Sequence, residues 1–262
     1  MTELTTTKSR REATGRLLTE NGPLPFVLLG AAAGGWWLTA RMTHAMVEGH
    51  SSAMSMGSTS LSFVAFLGGW VAMMGAMMFP AIVPVVLIFR RAAGRGQVAP
   101  TPYFVAGYLL VWATGGVPAY VAWRALRGPI STGAPLAGQL AGAIFLVAAA
   151  YQVSPLKAAC LRHCRTPMSF FLQQRRDLRR PCGAARAGVA HGLACFGCCW
   201  ALMAILVALG TMQLTWMLLL AALIFVEKVL RHGAHVARFV ATAFAVLGLA
   251  LLLHPALVGR LT

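Results

Sequence analysis

Seven long apolar segments separated by short polar links run along the chain, approximately Pro23 to Ala40, Leu61 to Phe89, Pro102 to Trp123, Pro135 to Val153, Gly188 to Leu209, Gln213 to Val229 and Val236 to Leu253. A helix rising about 1.5 Å per residue needs roughly 20 largely apolar residues to cross a hydrocarbon layer about 30 Å thick. The pattern predicts an all-α polytopic transmembrane bundle of about seven spans. It forms one membrane domain, residues 23–257, between an N-terminal tail, residues 1–22, and a C-terminal tail, residues 258–262. The segments show no internal repeat.

Composition removes the water-soluble alternative. The hydrophobic residues make up 58% and the charged ones 11%, whereas a soluble domain carries about 25% charged residues. The formal charge of +16 raises the question of a nucleic-acid partner, and the placement of the cations answers it. Of the 22 Lys and Arg residues, the N-terminal tail holds 4 and the links after the second, fourth and sixth segments hold 3, 8 and 3. The other side keeps Arg41, Arg124, Arg127 and Arg260. This alternation is the positive-inside pattern, with the N-terminus cytoplasmic and the C-terminus outside. The acidic lipid surface is a sufficient partner for these cations, so nucleic acid is not needed. Residues 1–22 mix four cations with three glutamates and have no apolar core, which speaks against a cleaved signal there and leaves the first segment as a candidate uncleaved anchor.

Sulfur is the chemistry that stands out against this apolar background. In the fifth segment, His191, Cys195, Cys199 and Met203 recur every four residues and share a helix face, with Cys198 beside them. Imidazole, thiols and a thioether suit Cu(I), or Zn(II) with more nitrogen or oxygen donors. Cysteine as a small core hydrophobe is the plain alternative. In the second segment, Met73 stacks over Met77 and Met74 over Met78, just before Pro80 and Pro84, which should bend the helix. Methionine also serves as adaptable core filler.

Depth links the two clusters. Counting inward from Leu61, Met73 to Met78 lie roughly 18 to 26 Å below the outer face, and counting outward from Gly188, Cys195 to Cys199 lie roughly 10 to 17 Å above the inner face. Both bands fall in the cytoplasmic half of the layer. Glu227 belongs at a similar depth. A buried acid there is costly and hence a functional candidate, with pairing to Lys228 or snorkelling as the structural alternative. Gly188 and Gly192 are spaced for close helix approach.

Two links carry further donors. The outer loop, residues 42–60, holds Met42, His44, Met46, His50, Met54 and Met56 on a flexible chain. Such donors suit Cu(I) or Ag(I), and a simple linker is the alternative. The cytoplasmic loop, residues 154–187, holds the densest cationic run together with Cys160, Cys164 and Cys182. Cys160 and Cys164 share a face if that stretch is helical, and Lys157, Arg162 and Arg165 would favour their thiolates for metal exchange. No cysteine lies in an outer loop, in keeping with thiols held on the reducing side.

The stretch from Trp70 through Met73-Met74-Gly-Ala-Met77-Met78 to Pro80, the stretch from Pro155 through Cys160 and Cys164 to Pro167, the run Gly192 to Met203 with Cys198-Cys199-Trp200, and the pair Glu227-Lys228 together resemble a bacterial family of predicted metal-binding integral membrane proteins. That family is a domain of unknown function, some of whose members are labelled copper chaperones, and the likeness covers roughly residues 60–250. The resemblance implies metal binding in a bacterial inner membrane, without a reaction or a proven metal. The expected function is membrane handling of a soft metal, copper first and another soft metal or zinc second, with a soluble metal chaperone or a membrane complex as partner. Enzymatic activity is not expected, and no phosphate-binding glycine loop for ATP-driven pumping is present. Three rivals remain. They are a thiol-redox protein using Cys195, Cys198 and Cys199, a carrier similar in outline to mercuric-ion transporters, and a structural subunit of a membrane complex.

Overall fold

The structure, a computed structural model, describes residues 23–52, 63–93, 100–131, 135–165, 177–209, 214–229 and 233–257. Among these it is all-helical. The helices are α1 (Leu24–Ser52), α2 (Phe63–Ala93), α3 (Pro100–Ser131), α4 (Pro135–Gln152), α5 (Pro155–Arg165), α6 (Pro181–Leu209), α7 (Leu214–Val229) and α8 (Gly233–Leu253), with 3₁₀ turns at Asp177–Arg179 and Pro255–Leu257.

Proline sets four of the starts. Pro100, Pro135, Pro155 and Pro181 each occupy the first helical position, where the missing N–H costs nothing and the fixed φ is already helical. Ser154 caps α5 by accepting a hydrogen bond from the Lys157 backbone N–H at 3.1 Å, which satisfies one of the donors left open at a helix start.

Five helices are long and apolar enough to cross a membrane: Phe63–Arg91, Thr101–Leu126, Pro135–Gln152, Pro181–Leu209 and His235–Leu253. The first and sixth expected spans are not among them. In α1 the apolar run is interrupted by Gly34-Gly35-Trp36-Trp37 and closed by Arg41, and α7 has 16 residues, about 24 Å of helix. Large apolar side chains such as Val64, Leu110, Leu193 and Phe239 stand on the outer surface, an arrangement suited to lipid rather than water.

The two polar links also differ from expectation. Helix α1 continues to Ser52, so Met42 to His50 stand on a helix rather than a loop. The link between the fourth and fifth apolar segments contains α5, and α6 begins at Pro181, so Cys160, Cys164 and Cys182 are all on helices.

Helix α6 is the central element. It packs on α3, α4 and α5 and on the Asp177–Arg179 turn, and most of its side chains from Cys198 to Leu209 are buried. Its approach to α3 depends on Gly188, where a Cβ would run into the carbonyl of Phe104, and on Gly107, where one would run into the carbonyl of Ala185. A similar crossing joins α4 to α8, where a Cβ on Gly142 would lie 2.8 Å from the Gly248 carbonyl. Close backbone approach through small residues replaces the hydrophobic drive that lipid-embedded helices lack.

Gly188→Ala is therefore expected to lower thermal stability in detergent, by about 1–3 kcal/mol for overpacking. Gly30→Ala, at a helical position with nothing within 4 Å of the added Cβ, is the control. Equal melting temperatures for the two variants would contradict this account of the α3–α6 contact.

Candidate metal centre

Cys195 sits at the middle of the sulfur cluster. It is fully buried on α6, with Cys198 and Cys199 beside it at 2% and 1% exposure. Both neighbours turn their S–H groups back to the Cys195 carbonyl, each at 3.0 Å, the local pattern of a polar side chain bonding three or four residues back along its helix. The Cys195 sulfur also meets two groups on other helices. Tyr108 of α3 brings its hydroxyl to 3.2 Å, and Lys228 of α7 donates from Nζ at 3.0 Å.

Lys228 also reaches the Met78 sulfur of α2 at 3.7 Å. The sulfurs of Cys195 and Met78 thus lie within reach of one ammonium. Lys228 links the second and fifth apolar segments at this point. Met73, Met74 and Met77 are buried in the same core.

Helix α5 adds a sulfur that the sequence placed elsewhere. The Cys164 sulfur is 3.9 Å from that of Cys198, so Cys164 belongs to the buried cluster rather than to a separate cytoplasmic pair. Cys160 rests on Gly197, where a Cβ would lie 2.7 Å from its sulfur. Cys182 is exposed.

The α5 cations do not activate these thiols. Burial, followed by the nearby Cys198, raises Cys160 above its ordinary range. Hydrogen bonding to Cys195 and Cys198, reinforced by burial, raises Cys164. The cations are engaged elsewhere. Lys157 pairs with Glu227 at 2.7 Å and donates to Gln152, Arg165 donates to the Glu227 carbonyl, and Arg162 is exposed.

Glu227 accordingly has a different partner from the one expected. Gln152 of α4 donates to its Oε1 at 2.6 Å, and Lys157 of α5 to its Oε2 at 2.7 Å. Adjacent helical residues point about 100° apart, so Glu227 faces α4 and α5 while Lys228 faces the sulfurs. The signals that sequence reading passed over are Gln152 and Tyr108, whereas Lys157 is legible in the sequence only as a cation near Cys160.

The ends of the α6 stripe diverge from its middle. A spacing of four residues turns roughly 40° per step on a helix of 3.6 residues per turn, so His191 and Met203 face different neighbours. His191 is buried against Phe104 and Tyr108, with ring centroids at 6.2 and 6.1 Å. Met203 lines an apolar cavity of about 220 Å³ with Trp70, Ala119, Phe196 and Trp200. The side chains of Met42, His44, Met46 and His50, and all of Met54 and Met56, lie outside the described residues.

Among the described residues, no three His, Cys, Asp or Glu side chains already surround one point as a metal ion requires. The thiols are turned to a backbone carbonyl, a hydroxyl and an ammonium instead. The donor set is nevertheless soft: four buried thiols and a thioether, with no carboxylate turned to them among the contacts described above. That chemistry suits a thiophilic ion such as Cu(I).

Fold and site define a helical protein with helices long and apolar enough to cross a membrane around a buried sulfur cluster. A family model described as PpoB2, copper chaperone, matches residues 67–251, more than half of the chain, and the chain belongs to that family. Neither a curated protein nor a solved structure matches it significantly.

The Glu227–Lys157 contact has a measurable consequence. Removing one partner of a buried ion pair leaves the other uncompensated, at a cost of about 3–5 kcal/mol. Glu227→Gln is expected to lose stability on that scale, and the double variant Lys157→Met with Glu227→Leu to regain much of it. Thermal unfolding of both variants checks this, and a Glu227→Gln protein as stable as the parent would refute the clamp.

Proposed function

We propose that this protein is a membrane copper-handling protein that holds Cu(I) at the junction of α2, α5, α6 and α7 and passes it on. The observation that carries the reading is the clustering of five buried sulfurs, those of Cys195, Cys198, Cys199, Cys164 and Met78, from three helices, with Cys164 3.9 Å from Cys198 and with Cys195 and Met78 both in reach of the Lys228 ammonium. Copper is favoured by the softness of the donors and by the family's description; Zn(II), which prefers a closed tetrahedral shell, is second.

In this reading the chain spans a bacterial inner membrane seven times, with α1 and α7 completing the five longer apolar helices, its N-terminus inside and its C-terminus outside. The cation distribution supports that orientation. Met42, His44, Met46, His50, Met54 and Met56 collect metal on the outer side. The buried cluster then holds it, with Met73, Met74, Met77, Met203 and His191 as neighbouring groups. Cys164, with Cys160 beside it, joins the cluster to the cytoplasmic surface, where a soluble metal chaperone or a membrane complex exchanges metal. Thioether and thiolate donors from separate helices allow stepwise ligand exchange without release to water.

A second reading has one observation in its favour. The 3.9 Å separation of the Cys164 and Cys198 sulfurs brings two thiols to a distance from which a disulfide could close. A redox protein would yield that disulfide in trapping experiments, whereas a metal site yields thiols protected by metal.

Metal content after gentle purification separates these readings. The parent is expected to retain copper, the Cys195, Cys198, Cys199 triple serine variant to lose it, Cys164→Ser to lose most of it and Cys182→Ser to keep it. In the same comparison, replacing Met54 and Met56 lowers uptake from outside while leaving the held metal in place. Equal copper in the parent and the triple variant would sink the intramembrane site.

A further inference from the structure

We propose that Lys228 is a specificity residue, a fixed positive charge that makes the sulfur cluster favour monovalent over divalent soft metal ions. The inference rests on the reading that the cluster holds metal, and adds the ground on which it chooses among metals.

The charges near the cluster are few and mostly matched. Glu227 and Lys157 neutralise one another at 2.7 Å, with both side chains almost wholly buried, so that pair adds no net charge. Arg165 is directed to the Glu227 carbonyl. Lys228 is different. Its ammonium lies 3.0 Å from the Cys195 sulfur and 3.7 Å from that of Met78, on the sulfur side of α7.

In a buried site a unit charge left unbalanced is costly, because low dielectric strengthens every Coulomb interaction. A monovalent ion held by two thiolates carries a net charge of minus one, and the Lys228 ammonium balances it. A divalent ion held by the same two thiolates is already neutral, so Lys228 leaves the site with an uncompensated positive charge. The divalent ion regains balance only by taking a third thiolate. The buried thiols beyond Cys195 are engaged, Cys198 and Cys199 with the Cys195 carbonyl and Cys164 with Cys198, so each further thiolate gives up one of those contacts. Met78 contributes a neutral thioether and does not alter the balance, which makes it a donor suited to the monovalent case.

The test is competitive binding of Ag(I) and Cd(II) to the purified full chain, as redox-stable monovalent and divalent probes. Lys228→Gln keeps a donor for Cys195 but removes the charge, and is expected to lower the ratio of Ag(I) to Cd(II) affinity by at least about tenfold. Lys228→Met is the second uncharged variant and should behave alike if the glutamine form folds poorly. Lys228→Arg restores the charge and is expected to restore the preference. A merely structural role would weaken both metals together and leave the ratio unchanged, which would overturn the proposal. A parent that binds both probes without preferring Ag(I) would overturn it too. A parent that binds neither metal would instead overturn the underlying reading of the cluster as a metal site, and the selectivity with it.

Discussion

A buried ion pair organises one end of this bundle. Glu227 near the end of α7 and Lys157 in the first turn of α5 meet 2.7 Å apart with almost no exposure, and Gln152 at the end of α4 closes the set. A carboxylate or ammonium alone would not survive at such a place, since each unpaired ion costs several kcal/mol to bury. The pair therefore ties three helices together where none could be apolar throughout. Two features of the sulfur cluster depend on it. It ties α5, the helix that carries Cys164, to α7 and α4, and by turning Glu227 toward α4 and α5 it leaves Lys228, the next residue, turned toward Cys195.

Packing elsewhere serves the same arrangement. Gly107 and Gly188 let α3 and α6 approach backbone to backbone, and this close approach sets the Tyr108 hydroxyl against Cys195. Trp70 of α2 donates to the Trp112 carbonyl of α3 at 2.9 Å, fixing the helix that carries Met78. The more exposed cysteines, Cys160 and Cys182, are not drawn into the buried set. The centre is thus assembled from several helices, which accounts for its incomplete ligand geometry: each donor is held by its own helix, and a shared ion would have to draw them together.

Much of the architecture was legible in the sequence because it is written in local chemistry. Apolar runs located the helices, and the second and fifth runs carry the Met78 and Cys195 that meet at Lys228. Partner choice was not legible. Spacing by four puts side chains on one face but does not say what that face meets, and its slow rotation carried His191 to Phe104 and Tyr108 and Met203 to an apolar cavity. The adjacency of Glu227 and Lys228 invited a pair that helix geometry keeps apart. A basic link concealed the short helix α5, because the cations that give it a polar, loop-like sequence also supply the lysine that docks it. The span count likewise depended on α1 and α7, whose glycine-interrupted sequence and short length put them outside the five helices that clearly qualify.

The account depends most on Cys164 and Cys195 serving one buried centre. X-ray absorption at the copper edge of the metal-loaded protein tests this directly. A first shell made of sulfur, reduced by one sulfur in Cys164→Ser, is the predicted result. A shell dominated by nitrogen or oxygen, or one unchanged by that substitution, would contradict it.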